Sequence, residues 1–148
     1  MKKILMMLAV GLMTVTAMNA QDRALGFRFG GGIDLGGEIS YQQYLSDQNR
    51  LEADLGFFSN SGIAVTGVYQ WVWALDELGD GFAWYAGVGA GLRLHEDGMG
   101  AGINGQVGIE YSLPSAPLQF SLDTRPGWYF GSGNPGDFGL ALSIRYLF

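Results

Sequence analysis

Apolar and polar residues alternate at every second position through most of the chain after residue 20. In the stretch "FAWYAGVGAGLRL", Trp84, Val88 and Leu92 fall on one side of the alternation, and Gly87 and Gly91 fall on the other. A period of two residues is typical of a β-strand with two different faces, and no part of this region keeps the 3.6-residue period of an amphipathic helix. The sequence therefore predicts an all-β protein.

Eight alternating segments follow one another, separated by turn clusters rich in Asp, Asn, Gly, Ser and Pro. The clusters read "DLGG", "SDQN", "SNSG", "DELGDG", "HEDG", "PSAP" and "GSGNPGD". Eight strands of about ten residues fit within residues 21–148 and leave only short connections. An even number of strands with short connections predicts an eight-stranded antiparallel up-and-down β-barrel.

The composition of the two faces indicates which one points outward. The polar face consists mostly of Gly, Ala, Ser and Gln with isolated charges, and the only lysines of the chain are Lys2 and Lys3. A water-exposed surface normally carries many charges of both signs, whereas the narrow lumen of an eight-stranded barrel suits small side chains and paired charges. The bulky apolar face then suits lipid, and the barrel is predicted to be a transmembrane barrel of the outer-membrane type.

Charged residues of the polar face are predicted to form a structural network inside the lumen. An arginine cannot lose its proton in a protein and can hold two carboxylates with its planar fork. Spacing does not decide which pairs form. A plug of salt bridges in a filled, non-porin lumen is the favoured interpretation, and a proton or ion path is the alternative. The predicted network comprises Arg28, Glu38, Glu52, Asp54, Arg93, Glu110, Asp123, Arg125 and Arg145.

The first residues have the pattern of a secretory signal peptide. Two lysines precede an apolar run over residues 4–13, and small residues follow up to Ala20. The apolar run is shorter than the ~20 residues that a membrane-spanning helix needs. We predict a signal peptide over residues 1–20 and a barrel domain over residues 21–148; cleavage after Ala17 and an uncleaved anchor helix are the alternatives. The chain has no cysteine, which excludes a disulfide or a lipidated cysteine.

The final segment "DFGLALSIRYLF" places Leu142, Ile144, Tyr146 and Phe148 at every second position. This ending resembles the assembly signal of bacterial outer-membrane barrels, although the glycine often found near the start of that signal is displaced to Gly139. By strand count, size and this ending, residues 21–148 are similar to the small OmpA-like and OmpX-like barrels. The resemblance implies insertion by the barrel assembly machinery into the outer membrane of a Gram-negative envelope, contact with outer-membrane lipid and lipopolysaccharide, and a monomer.

The same resemblance does not specify an activity, because barrels of this class serve as anchors, adhesins, defence factors, narrow channels and occasionally enzymes. With the termini in the periplasm, the longest external connection is predicted to lie near the C-terminus. Its segment "RPGWYFGSGN", residues 125–134, is the candidate contact surface for a partner. The alternative for Trp128, Tyr129 and Phe130 is an aromatic girdle at the membrane interface.

Several functional classes are disfavoured. A net charge of −6 argues against a nucleic-acid partner, and no motif predicts a cofactor or a metal. The single histidine, His95, lies in a turn beside Glu96 and Asp97 without a nucleophile motif, which argues against an enzyme. We predict a structural or surface-interaction role; the alternatives are an outer-membrane enzyme acting on lipid, a narrow channel, and a soluble periplasmic barrel that carries an apolar ligand.

Overall fold

The computed structural model describes residues 22–31, 35–59, 61–96, 98–131 and 138–148. The predicted signal peptide lies outside these residues. The described part of the chain has no helix that is long and apolar enough to cross a membrane.

Nine strand segments make up the described structure. They are β1 (Arg23–Gly30), β2 (Leu35–Tyr44), β3 (Asn49–Phe58), β4 (Ile63–Ala74), β5 (Phe82–His95), β6 (Gly98–Ser112), β7 (Leu118–Thr124), β8 (Gly127–Phe130) and β9 (Leu140–Leu147).

The segments form one closed antiparallel sheet. Each strand from β1 to β6 pairs with the next, both β7 and β8 pair with β6, and β9 pairs with β7 and with β1. The segments β7 and β8 are therefore two parts of one wall strand, separated by Arg125 and Pro126. The predicted eight-stranded antiparallel barrel is confirmed.

The first and last strands meet along a continuous seam. Phe27 pairs with Ile144 within it, and the backbone N–H of Phe148 donates to the carbonyl of Arg23 at 2.9 Å. Both described chain ends consequently lie at one end of the barrel. We call this the terminal end, and we call the opposite end, which holds the β5–β6 turn, the distal end.

Burial is inverted relative to a water-soluble barrel. Along β3, Glu52 and Asp54 are buried, whereas Leu51 and Leu55 are exposed. The same alternation appears along β4 and β9. The polar residues face the lumen and the bulky apolar residues face outward, in agreement with the predicted assignment of the faces.

The outward apolar surface has the height expected of a transmembrane barrel. From Ile63 to Trp73, the outward side chains of β4 span about 33 Å of strand at ~3.3 Å per residue. A strand tilt of about 40° reduces this to about 25 Å along the barrel axis, which is the height of the apolar band of transmembrane barrels. Near the terminal end, Trp73 stacks on Trp84 with ring centroids 4.3 Å apart.

The predicted external loop over residues 125–134 is wrong for its first half. The chain continues as β8, with Trp128 and Phe130 facing outward and Tyr129 buried in the lumen. The interruption is short, and the carbonyl of Pro126 still accepts a hydrogen bond from the N–H of Gly105 at 2.9 Å. The girdle alternative is not supported at Trp128, because Trp128 pairs with Ile103 near the middle of β6, or at Tyr129, which is buried. Residues 132–137 lie outside the described residues.

The charged lumen as the candidate functional site

The lumen contains a dense set of buried charges. Buried charges are costly unless they are paired and hydrogen-bonded. Each of the five carboxylates below has at least one arginine partner. The buried set comprises Arg28, Arg50, Arg125 and Arg145 with Glu38, Glu52, Asp54, Glu110 and Asp123.

Arg125 is the centre of the largest cluster. It lies at the interruption between β7 and β8, where the strand parity turns its side chain into the lumen. Its Nη2 donates to Glu52 Oε1 at 2.6 Å and to Asp54, and its Nη1 lies 3.5 Å from Glu38 Oε1. One guanidinium thus compensates three carboxylates on β2 and β3.

Two arginines link the first strand and the last strand to the rest of the wall. Arg28 on β1 holds Asp123 through Nη2 at 2.6 Å and through Nε at 3.2 Å, and it also holds Glu38. Arg145 on β9 donates to Glu52 Oε2 at 3.1 Å. The remaining donors of Arg145 bind the hydroxyls of Ser40 at 3.0 Å and Ser121 at 2.9 Å. The closing seam is therefore fastened from inside the lumen.

Arg50, which is not among the predicted network residues, forms a second cluster nearer the terminal end. Its two Nη atoms grip Glu110 at 2.9 and 2.6 Å in a bidentate pair, and its Nε donates to Gln70 at 2.5 Å. The guanidinium also lies 4.8 Å from the ring centre of Tyr85. Arg50 lies two residues before Glu52 and four before Asp54 on the same strand, so alternation alone would have predicted that it faces the lumen.

Neutral amides join the two clusters. Gln42 donates to Glu52 at 2.5 Å, and Gln106 donates to the same carboxylate at 3.0 Å. Gln70 in turn donates to Gln106 at 2.7 Å. These glutamines extend one hydrogen-bonded network from Arg50 to Arg125, and sequence reasoning missed their role because an isolated Gln carries no charge signal.

Arg93 differs from the other predicted network residues because it is only half-buried. Its guanidinium lies over the ring of Tyr129, with the carbon 3.6 Å from the ring centre, and it also approaches Phe58. Cation–π stacking therefore helps to hold the Arg93 guanidinium in place. Arg93, Arg28 and Arg125 line a cavity of about 20 Å³, which is enough for about one water molecule.

Tyrosines fill the space above lumen glycines. A Cβ atom added to Gly108 would lie 2.5 Å from Cζ of Tyr85, its partner across β5 and β6. A Cβ atom at Gly102 would lie 2.7 Å from Cδ1 of Tyr129. Each tyrosine ring lies where a neighbouring side chain would otherwise be, which is the aromatic covering of glycine that stabilises curved sheets.

The remaining candidate residues lie outside the buried network. Leu142, Ile144, Tyr146 and Phe148 all face outward at the seam. His95 is exposed at the distal end, where it packs against Phe58 with ring centres 4.8 Å apart, and Asp97 lies outside the described residues. Within the described ranges, no three or more His, Cys, Asp or Glu side chains are grouped so as to hold a metal ion.

Comparison with known proteins identifies the fold. Neither a protein-family model nor a curated protein matches the sequence. A solved structure described as "De novo design of transmembrane beta-barrels" has a TM-score of 0.60 and 15% identity, over 87% of this chain and 97% of that chain. The solution NMR structure of the de novo designed TMB2.3 has a TM-score of 0.58 and 15% identity, over 87% and 95% of the two chains. This chain has the fold of a transmembrane β-barrel.

Proposed function

We propose that the protein is an integral outer-membrane β-barrel whose lumen is closed by salt bridges, and that it acts as a structural or surface-interaction protein. The inverted burial carries this proposal. Ile103, for example, is 65% exposed while its chain neighbour Asn104 is 6% exposed. Exposed apolar patches of this extent are rare on soluble monomers, so lipid is the natural surrounding.

The packing of the lumen supports a closed barrel rather than a porin. Arg125 and Arg145 both contact Glu52 in the middle of the lumen, and Gln106 completes the same group. A conducting pore needs a continuous water path, which is found in much wider barrels. The narrow-channel alternative would require these contacts to separate.

Export and membrane insertion are part of the proposal. The lysine-headed apolar segment at residues 1–20 supports secretion, and the outward row that ends at Phe148 supports insertion by the barrel assembly machinery. We also propose a monomer without enzymatic activity, because His95 packs on a phenylalanine ring and no nucleophile motif accompanies it.

The decisive experiment combines vesicle flotation with planar-bilayer recording on protein refolded from residues 21–148. We expect the protein to float with the vesicles and to give no conductance steps, under conditions in which a reconstituted porin conducts. Steady conductance steps would contradict the plug. Protein that stays in the aqueous phase would contradict the membrane proposal and favour a soluble carrier.

The assembly role of the terminal aromatic is tested separately in cells. Phe148→Asp should strongly lower the amount of assembled barrel, yet the urea midpoint of barrel already folded in detergent should change little. Phe130→Asp is the control, since Phe130 is also an outward aromatic but lies in a different strand. If the two variants assemble equally, Phe148 is only a lipid-facing side chain.

A further inference from the structure

An open groove of about 1310 Å³ crosses the outer surface over β3, β4, β5, β6 and β8. Its floor consists of small residues that are neighbours across the strands: Ala53 pairs with Gly67, and Gly67 pairs with Ala90. A Cβ atom added to Gly67 would find nothing within 4 Å, so the recess is open to the outside. Larger side chains border it, namely Leu51, Tyr69, Val88, Ile103, Trp128 and Phe138.

The groove is continuous with the outward apolar band of the barrel. Ile103 and Trp128, which border it, are among the most exposed apolar residues of that band. An unfilled recess in a hydrocarbon environment forfeits the dispersion contacts of its lining. A flexible hydrocarbon chain restores those contacts, so the fitting occupant is an acyl chain of the surrounding lipid.

One polar backbone group lies at the same groove. The register places Gly105 opposite Pro126, and the N–H of Gly105 donates to the proline carbonyl at 2.9 Å. In an antiparallel ladder such a pair normally exchanges two hydrogen bonds. Proline has no N–H to return, so the carbonyl of Gly105 loses its ladder donor. Both residues line the groove.

A carbonyl without a donor is costly within the hydrocarbon region. Gly105 is the central residue of β6, which runs from Gly98 to Ser112, so its carbonyl lies near the middle of the apolar band. A donor able to reach it must therefore be carried deep along the acyl chain. A hydroxyl group is the simplest donor that an otherwise apolar chain can carry.

We propose that this groove binds one lipid acyl chain and prefers a chain with a hydroxyl group near mid-bilayer depth, which donates to the Gly105 carbonyl. The proposal rests on the membrane location proposed above. A second copy of the barrel is the competing occupant, and it would appear as a dimer.

The protein is refolded into vesicles that contain equal amounts of stearoyl and 12-hydroxystearoyl phosphatidylcholine. It is then extracted in a mild detergent, and native mass spectrometry measures which lipid stays bound. We expect one retained lipid per barrel, with a preference of about three- to ten-fold for the hydroxylated lipid, as one net hydrogen bond allows. Gly67→Leu should fill the groove and abolish retention. Ala101→Leu, on the same outward face but outside the groove, should leave retention unchanged.

Pro126→Ala isolates the role of the carbonyl because it supplies the missing N–H. This variant should still retain a lipid but should no longer distinguish the two chains. Flotation with the vesicles shows whether Pro126→Ala has folded. If Pro126→Ala does not fold, the parent protein and the two leucine variants still test the site.

Three results contradict the site: equal retention of both lipids by the parent, unchanged retention in Gly67→Leu, or a dimer without lipid. These three results are measured on protein that floats with the vesicles, so they would contradict the lipid site and leave the proposed membrane location intact. Protein that does not float contradicts the membrane proposal itself, and this site with it.

Discussion

The two halves of the lumen wall are built from different residues. The charged half, formed by β1, β2, β3, β9 and β7 with the adjoining Arg125, provides all four buried arginines of the described residues. The glycine half, formed by β4, β5 and β6, provides mainly small or neutral residues. Its charged exceptions are Glu110 and the half-buried Arg93. Its small lumen positions include Ala64, Val68, Gly87, Gly89, Gly91, Gly102 and Gly108.

This difference shows how the lumen is filled: long side chains from one half occupy the space over small residues of the other half. Arg50 reaches from the charged half to Glu110 on the glycine half, and its guanidinium meets the ring of Tyr85 there. The glycines of the glycine half leave room for these long side chains and for the tyrosine rings. The charged half thus contributes most of the ion pairs, and the glycine half provides the space that the long side chains occupy.

The largest effect is expected from the charged half. Arg125→Met should lower the free energy of unfolding by about 3–5 kcal/mol, because Glu38, Glu52 and Asp54 would lose a buried cation. Urea titration in lipid vesicles measures this change. Arg23→Met, at the end of β1 and outside the buried cluster, is the control and should change stability by less than about 0.5 kcal/mol.

A second prediction tests whether the two halves enclose a lumen at all. Ile103→Arg places a charge on the outward face and should cost about 2–4 kcal/mol near the bilayer midplane. Asn104→Ala removes the neighbouring lumen side chain, whose buried amide has no hydrogen-bond partner, and should cost clearly less. Both variants are titrated with urea in the same lipid. A loss at Ile103→Arg no larger than the loss at position 104 would contradict the assignment of Ile103 to the lipid-facing surface.

A third prediction concerns volume in the glycine half. Gly108→Ala should cost about 1–3 kcal/mol because the added methyl group collides with the ring of Tyr85. Gly67→Ala, an outward glycine with open space, should be nearly neutral. A double-mutant cycle with Tyr85→Leu should recover part of the loss at Gly108. Purely additive effects would show that the ring and the glycine do not share this space.

The smallest effect is expected at Arg93, where the charged set meets the distal end. Arg93→Met should cost about 0.5–1 kcal/mol, since the residue is half-buried and stacks on Tyr129. The same urea titration measures it beside Arg125→Met. A loss equal to that of Arg125 would extend the buried network to the distal end.

The alternation of residues was sufficient to predict the barrel, its strand number and the orientation of its faces. A strand has a period of two, so an inward assignment of Glu52 also fixes Asp54 as inward and Leu51 as outward. The strand over residues 127–130 was missed because Pro126 and the glycines around it have the composition of a turn. The alternation in fact continues past the proline, because Arg125 and Tyr129 are four residues apart and both face the lumen. This continuity was the better indication of a strand.

The pairing of charges could not be predicted from the sequence. Arg28 and Asp123 are 95 positions apart and are separated in the sheet by β9. Their contact depends on strand tilt and lumen diameter, which no local pattern encodes. The hydrogen bonds of Gln42, Gln70 and Gln106 depend on the same geometry.

The seam between the first and last strands also affects the order of folding. The hydrogen bond from Arg145 to Ser40 joins residues 105 positions apart, so the entropy of closing a very long loop is lost before this contact can form. Until β9 joins β1, the lumen charges on both strands can keep their hydration water. We therefore expect closure of the barrel and dehydration of its interior to be coupled, and to follow the pairing of the other strands.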